Sequence, residues 1–410
     1  MVCKSAGMSM INGAIKVSRS VVLRYGMAAT FFPMEPMFER CWAEIDLDAL
    51  RHNVAAIRAA LAPGTGLTAV LKANAYGHGL APVAEALHDR VEAFAVASVA
   101  EALTLRGAVP EAPVMILGPV LPEEREWVVA HGFYPMISSQ EEAAAFAALV
   151  PEGEEPLDVH LAVDTGMGRI GVWKTGAVAV AEAIAAMPQL RLAGVSTHLP
   201  VADDDPERTQ EQLARWRHLI AEMEAAGVKP PMVHALNSAG VIRYGLGEGE
   251  ESNGNLVRTG LMLYGIAPVP EFQPQLEPVL TWKTRVSLVR KIPQGRSISY
   301  GRTFIAPSPM KVATLAAGYG DGYFRHLSNV GAAVLIGGKR CPVLGRVTMD
   351  QTVVDVSHLP EVAVGDEVVL IGRQGEERLL ATEVAAWAGT IAWELFTAIT
   401  GRVRRVYLNG

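Results

Sequence analysis

The stretch "AVLKANAYGHG" (residues 69–79) ends a short apolar run on Lys72 and follows it with Asn, Tyr, His and two glycines. This places an amine at the end of a buried strand, beside a turn where the glycines let the backbone approach a ligand closely. A lone lysine in such a place most often extends its ammonium group to solvent. The pattern on either side of the stretch must therefore decide both the fold and the role of Lys72.

Eight short apolar runs recur from residue 67 onwards, and most are bounded by Gly, Pro or acidic residues. They lie at 67–72, 92–98, 113–118, 133–138, 157–163, 192–197, 231–236 and 260–265. Amphipathic segments between them, such as 138–150 and 206–227, have the spacing and start signals of helices. Strict alternation of strand and helix favours parallel pairing, and eight repeats predict a (β/α)8 TIM-type barrel.

The pattern changes after about residue 278. Closely spaced β-like segments with Gly-rich turns follow, at 284–292, 311–323, 332–347, 351–357 and 366–375, with one predicted helix at 382–397. Such a series is typical of a mostly antiparallel β domain. We therefore predict a barrel over 39–278 and a C-terminal β domain over 279–410.

Residues 1–38 differ from the rest and are predicted to be an extension that is unstructured or precedes the native start. Arg24 interrupts its only long apolar stretch, which argues against a secretory signal.

Composition favours a small-molecule partner. The 410 residues are 50% hydrophobic with a net charge of −7, which supplies no basic face for nucleic acid, and no charge-free apolar run approaches the length of a membrane span. The three cysteines, Cys3, Cys41 and Cys341, are too few and too widely spaced for a disulfide framework or a metal site. We expect no metal and a reducing, cytoplasmic location.

In a (β/α)8 barrel the working residues lie at the C-terminal ends of the strands. The residues predicted there are Lys72, Asp164, Arg169, His198, Asn237, Ser238, Arg258 and Tyr264. Each has a structural alternative: His198 could be a satisfied core histidine, Arg258 could pair with a carboxylate, and "NS" at 237–238 is an ordinary helix N-cap signal. Their convergence on one mouth favours a site for an anionic ligand with a reactive carbonyl.

Pyridoxal phosphate fits this combination of groups. The cofactor needs a lysine amine for covalent attachment and backbone donors for its phosphate, and Gly260 in "RTG" (258–260) allows a close backbone approach.

Nine motifs together carry a family resemblance. They are "AEIDLDALRHN" (43–53), "AVLKANAYGHG" (69–79), "DTGMGRIG" (164–171), "STH" (196–198), "LNSAG" (236–240), "VRTGLMLYG" (257–265), "SYG" (299–301), "GYGDGY" (318–323) and "GRVTMDQ" (345–351). In this order, from about residue 40 to the C-terminus, the chain resembles alanine racemases, homodimeric pyridoxal phosphate enzymes built from a barrel and a β domain.

The resemblance implies two catalytic residues. Lys72 would bind the cofactor covalently and exchange the Cα proton on the D face, and Tyr300 of the second subunit would do so on the L face. Racemisation requires two such bases on opposite faces, each with a pKa lowered by several units. The expected product, D-alanine, would supply peptidoglycan synthesis.

The resemblance also implies binding roles for other residues. The expected phosphate ligands are Tyr76, Ser238, Gly260 and Leu261, with Trp393 beside the phosphate and the substrate methyl group. His198 would pack on the pyridine ring and link Arg258 with Tyr300. Arg169 and the backbone N–H of the second subunit's Met349 would bind the substrate carboxylate. Asn237, Tyr319 and Asp350 are expected to support the site.

The resemblance also implies that Arg258 would lie opposite the pyridine nitrogen, a placement that favours racemisation over other cofactor chemistry. A guanidinium that stays protonated cannot protonate that nitrogen, so electron withdrawal is weakened and transamination is disfavoured. A decarboxylase of the same architecture is expected to place a carboxylate there and to contain a "GGG" phosphate loop, and this sequence contains no such triplet.

Two positions depart from the family pattern. Ala162 stands where many members have a lysine that is carbamylated and holds the arginine equivalent to Arg169, so Arg169 needs another anchor, such as chloride or a distant carboxylate. Trp393 stands where a tyrosine is common. Trp393 therefore keeps open a racemase acting on serine or other amino acids. A non-catalytic pyridoxal phosphate carrier built on the same barrel is a third alternative, although such proteins lack the β domain that carries Tyr300, Met349 and Asp350 here.

Overall fold

The computed structural model describes residues 39–245 and 253–410. The predicted extension at 1–38 lies outside the described residues.

Eight parallel strands form a barrel that is closed except for an incomplete ladder at one seam. In chain order they are Gly66–Val70, Ala93–Val96, Val114–Ile116, Tyr134–Ile137, Leu157–Asp164, Leu190–Ser196, Met232–His234 and Leu256–Thr259. The last strand pairs with the first, and at the seam the N–H of Arg258 donates to the carbonyl of Leu236 at 3.0 Å. Alternate residues such as Val70, Ala95 and Met115 fill the barrel interior. The predicted barrel is confirmed.

In the residues that the structure describes, eight helices surround the strands, and five of them begin at a residue whose side chain caps the helix. The eight are Leu47–Ala59, Leu80–Leu87, Val99–Ala108, Arg125–His131, Gln140–Ala147, Ala177–Ala185, Pro206–Ala225 and Ser238–Tyr244. Ser98, Ser139 and Asp205 each accept a hydrogen bond from a backbone N–H in the first turn, which satisfies donors that the helix leaves free. None of the helices in the described part of the chain is long and apolar enough to cross a bilayer.

The last barrel strand lies earlier than the apolar run at 260–265 predicts. The strand is Leu256–Thr259, and residues Leu261–Tyr264 form a 3-10 turn. This turn is apolar because it is buried: Tyr264 is enclosed, and its hydroxyl donates to the carbonyl of Val70 at 3.1 Å. Arg258 consequently lies inside the strand and not beside it.

The second sheet is mostly antiparallel, as predicted. Its strands are Cys41–Asp46, Leu280–Ile292, Met310–Leu315, Ala333–Ile336, Lys339–Pro342, Thr352–Asp355, Glu367–Gln374, Glu377–Leu379 and Arg404–Leu408. The short pairs Ser297–Ile298 with Phe304–Ile305, and Val172–Trp173 with the fifth barrel strand, lie outside it.

Two elements of the second domain differ from the sequence-based expectation. Cys41–Asp46, predicted within the barrel segment, pairs antiparallel with Leu280–Ile292 and parallel with Arg404–Leu408. The predicted helix at 382–397 is two helices, Ala381–Ala388 and Ala392–Thr397, because Gly389 at φ 70° ends the first. The boundary predicted at 278/279 stays a prediction.

Candidate active site

A cavity of about 630 Å³ lies at the C-terminal ends of the barrel strands. Ten of the predicted site residues line it: Lys72, Tyr76, Arg169, His198, Asn237, Ser238, Arg258, Gly260, Leu261 and Trp393. Among the described lining residues, three are cations and only Asp203 is acidic. The cavity therefore favours an anionic ligand.

Lys72 lies two residues beyond its strand, at the start of an unusual turn. Residues 73–76 have φ values of 54°, 55°, 53° and 52°, so four consecutive non-glycine residues are left-handed. Each such residue costs about 1–2 kcal/mol, and runs of this kind survive only where the surroundings hold them. Here the side chain of Asn74 accepts from the N–H of Leu80 at 2.8 Å, and the ring of His78 bonds the carbonyl of Tyr76 at 2.9 Å.

The amine of Lys72 is in a positive, partly buried environment. Burial and the nearby guanidinium of Arg169 both lower the pKa of Lys72, since each disfavours the charged form. A larger fraction of this amine is unprotonated at neutral pH than for an exposed lysine. That is the property a covalent cofactor lysine or a catalytic base requires.

Tyr76, Ser238 and Gly260 form a small polar cradle. A Cβ atom on residue 260 would lie 2.6 Å from the Tyr76 hydroxyl oxygen, so only glycine fits there. The N–H of Gly260 donates to the Ser238 hydroxyl at 3.1 Å, and burial raises the pKa of Tyr76 to about 12, which keeps its hydroxyl protonated. Asn237 caps the helix that begins at Ser238 by accepting from the N–H of Gly240. The cradle consists of donors suited to phosphate oxygens.

Arg258 has no carboxylate partner among the described residues, so the ion-pair alternative is not what the structure contains. Its guanidinium donates to the carbonyl of Thr197 at 2.6 Å, to the carbonyl of His234 at 2.8 Å and to His234 Nδ1. Complete burial lowers the pKa of Arg258 to about 10, which leaves it protonated at neutral pH.

Two buried histidines extend this contact into the barrel. Because His234 Nδ1 accepts from Arg258, its Nε2–H donates to His160 Nδ1 at 2.8 Å. Burial and the charge of Arg258 lower the pKa of His160 to about 4 and that of His234 well below its usual value, so both rings are neutral. Sequence reasoning missed both histidines; the available signal was a histidine inside an apolar run, at 157–163 and again at 231–236.

His198 lies on the cavity wall as a neutral ring. Burial, with the charges of Arg258, Arg169 and Lys72, lowers the pKa of His198 to about 3. Its backbone carbonyl accepts from the side chain of Gln212 at 2.9 Å, which fixes the residue beyond the strand.

Arg169 lacks a hydrogen-bond or ion-pair partner within the described part of the chain. Its loop is set by the carboxylate of Asp164, which accepts from the N–H groups of Gly166 and Gly168. Ala162 is buried on the cavity wall and offers Arg169 no polar group. The guanidinium is thus available to an anion in the cavity.

Trp393 reaches the barrel cavity from the second domain. It lies in the first turn of the helix Ala392–Thr397 and is half-buried against the main hydrophobic core. Its indole can donate one hydrogen bond and cannot accept one.

Six predicted residues do not line the cavity of their own chain: two of them, Asp164 and Tyr264, belong to the barrel, and the other four belong to the second domain. Tyr300 is 71% exposed and Met349 is 53% exposed, and Tyr319 and Asp350 are also exposed. The last three lie together: the N–H of Gly320 donates to the carbonyl of Met349 at 2.8 Å, that of Tyr319 to the carbonyl of Thr348, and Asp350 pairs with Arg402 at 2.8 Å.

The residues present fit pyridoxal phosphate. The cavity combines an amine of lowered pKa, a cradle of hydroxyl and amide donors and a buried guanidinium that none of the described carboxylates neutralises. Within the described residues no cluster of His, Cys, Asp and Glu is placed to hold a metal ion.

Comparisons with known proteins agree on one family. The profile of "Alanine racemase, N-terminal domain" matches residues 45–268, and that of "Alanine racemase, C-terminal domain" matches residues 279–407. The alanine racemase of Symbiobacterium thermophilum is 44% identical over 373 residues, which cover 89% of this chain and 96% of that protein. The alanine racemase of Halothermothrix orenii is 39% identical over 375 residues, covering 90% and 97%.

Solved structures give the same result. The alanine racemase of Bacillus anthracis, determined with bound L-Ala-P, superposes with a TM-score of 0.82 at 36% identity, covering 92% of this chain and 96% of that one. The alanine racemase of Clostridium difficile 630 superposes with a TM-score of 0.84 at 32% identity, covering 91% and 96%.

Proposed function

The chain belongs to the alanine racemase family of pyridoxal phosphate-dependent isomerases, and we propose that it interconverts L- and D-alanine by a two-base reaction in the cavity at the barrel mouth. The observation that carries this proposal is Lys72, an amine of lowered pKa at the edge of a positively charged cavity. A broader amino-acid racemase is the second candidate, because Trp393 changes the wall of the same cavity.

The cavity residues divide the binding of pyridoxal phosphate among them. When bound, the cofactor withdraws electrons from the Cα atom of an amino acid and so makes its proton removable. Lys72 Nζ would hold it covalently, while the Tyr76 and Ser238 hydroxyls and the N–H groups of Gly260 and Leu261 would hold its phosphate. Leu261 follows Gly260 directly in the turn that closes the cradle.

Arg258 would donate a hydrogen bond to the ring nitrogen without transferring a proton. Its pKa of about 10 keeps the guanidinium charged at neutral pH, and its bonds to His234 and Thr197 fix its direction. His198 would pack beside the ring as a neutral group.

Two bases on opposite faces would invert the Cα centre. Lys72 Nζ would remove or return the proton on the D face, and the phenol of the partner subunit's Tyr300 would do so on the L face. Arg169 and the N–H of the partner subunit's Met349 would bind the substrate carboxylate. The exposure of Tyr300 and Met349 in the single chain supports a homodimer that covers them and completes each site.

The proposed role is to supply D-alanine for peptidoglycan in the cytoplasm. Both described cysteines, Cys41 and Cys341, are unpaired, which accords with a reducing compartment.

The test is isotope exchange with two substrates. Purified protein with added pyridoxal phosphate is incubated in deuterated water with L-alanine and separately with L-serine, and Cα deuteration and chirality are followed together. We expect fast loss of chirality for alanine, with serine slower by about tenfold or more, the usual discrimination of an added group in a close-fitting pocket. Comparable rates would favour the broader racemase, and absence of exchange with both would contradict catalysis and leave the carrier.

A further inference from the structure

Arg405 lies at the junction of the two domains and is bonded only to backbone carbonyls. Its Nε donates to the carbonyl of Gly77 at 3.0 Å, and its two other nitrogens donate to the carbonyls of Thr400 at 2.7 Å, Val403 at 2.8 Å and Ile399 at 2.7 Å. Among the described residues no carboxylate pairs with it. A half-buried guanidinium thus joins a barrel turn to the end of the chain.

The barrel partner, Gly77, directly follows the left-handed turn that Lys72 begins. A Cβ atom at Gly77 would lie 2.3 Å from the carbonyl oxygen of Phe396, and one at Gly79 would lie 1.9 Å from the hydroxyl of Tyr407. The His78 ring meets the Phe396 ring edge-on at 5.0 Å. The turn is therefore packed directly against the helix that carries Trp393 and against the last strand.

The other partners of Arg405 lie within residues 399–403, and this segment bonds the exposed loop around residues 320–321. The N–H of Thr400 donates to the carbonyl of Asp321 at 3.2 Å, and its hydroxyl donates to the carbonyl of Gly320 at 3.0 Å. Gly320 in turn bonds the backbone of Met349. One guanidinium consequently connects the Lys72 turn with the backbone that holds Met349.

We propose that Arg405 is a positioning residue that holds the strained turn at 73–77 against the second domain and so aims Lys72 into the cavity. Left-handed residues relax towards ordinary conformations when an end of the turn is released, and misplacing a reacting amine by a fraction of an ångström is costly to catalysis. The role of Lys72 in this inference rests on the proposed function; the bracing of the turn does not.

Lys311 provides a matched control within the second domain. Its ammonium group also bonds only backbone carbonyls, those of Leu359 at 3.1 Å, Pro360 at 2.7 Å and Val362 at 3.4 Å. Loss of this cation costs a similar set of contacts without touching the Lys72 turn.

The experiment compares Arg405→Met, Arg405→Lys and Lys311→Met, each as the full chain. Amide hydrogen exchange is measured in cofactor-free protein, followed by pyridoxal phosphate affinity and alanine turnover. For Arg405→Met we expect faster exchange within residues 73–79 and a cofactor Kd raised about tenfold or more, the effect of losing a hydrogen bond to a charged group. Arg405→Lys, which keeps the charge, should fall between Arg405→Met and the parent.

Unchanged exchange within 73–79 in both Arg405 variants, or an equal increase in Lys311→Met, would overturn the proposal. If Arg405→Met fails to fold, the Lys variant alone decides, since its exchange at 73–79 either rises above that of Lys311→Met or does not. Failure of the proposed function would be seen separately, because the parent protein would then not turn over alanine. Hydrogen exchange at residues 73–79 would still show whether Arg405 holds the turn.

Discussion

Lys72 and Arg169 are both cationic, and their repulsion affects a measurable quantity, the pKa of Lys72. Burial and Arg169 lower the pKa of Lys72, and no described partner neutralises Arg169. Because the charge of Arg169 disfavours protonation of Lys72, removing that guanidinium charge should raise the pKa of the lysine.

We therefore expect Arg169→Gln to move the pKa of Lys72 upward, towards that of an exposed lysine. In cofactor-free protein, the rate of reductive methylation at Lys72, followed by mass spectrometry across pH, should show its midpoint at higher pH in the variant. Arg191→Gln, which removes an exposed guanidinium paired with Asp158, is the control and should leave the midpoint in place. A shift to lower pH in Arg169→Gln would contradict this electrostatic account.

At single positions, the sequence predicts residues whose role follows from their place at a strand end. Lys72, His198 and Ser238 are predictable because each ends or closely follows an apolar run, and all three line the cavity. His160 and His234 were not predicted, because inward and outward positions within short buried strands cannot be separated by periodicity alone. Their relation to Arg258 depends on three strands that only the closed barrel brings together.

At the scale of elements, the turn after Lys72 is the longest run of left-handed non-glycine residues in the described chain. Four residues at φ 52–55° retain their Cβ atoms, and the contacts of Asn74, His78 and Gly77 are among those that hold them in this conformation. The strain belongs to the turn and should therefore respond to the removal of a Cβ atom.

Ala73→Gly is expected to stabilise the protein, or at least not to destabilise it, because removing the exposed Cβ relieves about 1 kcal/mol of left-handed strain. The matched control is Ala144→Gly in the right-handed helix Gln140–Ala147, where the same change at an exposed position should cost about 0.5–1 kcal/mol. Denaturant unfolding of both variants measures the two effects. Equal destabilisation by both would show that the turn is not strained.

Element types were more predictable than their boundaries and partners. The run at 260–265 was predicted as a strand because a buried turn and a buried strand are equally apolar. Cys41–Asp46 joins strands from far along the chain, at Leu280–Ile292 and Arg404–Leu408, and no local pattern reports such a partner. The alternation of strands and helices, in contrast, is local, and it predicted the barrel correctly.

At the scale of the whole molecule, the two proposed bases lie on different surfaces of a single chain. Lys72 lines the cavity, whereas Tyr300 is 71% exposed on the second domain and does not line it. A two-fold dimer would give each cavity a Lys72 from one subunit and a Tyr300 from the other. This arrangement makes a distinct prediction for mixtures of damaged subunits.

The most direct test of the central claim is complementation between Lys72→Ala and Tyr300→Phe. The two inactive variants are unfolded together, refolded as a mixture with pyridoxal phosphate, and assayed for alanine racemisation against each variant refolded alone. Random pairing makes half of the dimers mixed, and each mixed dimer has one intact site, so activity should recover to roughly a quarter of the parent value. If both residues acted within one chain, every site would lack a base, and a mixture as inactive as its components would contradict the account.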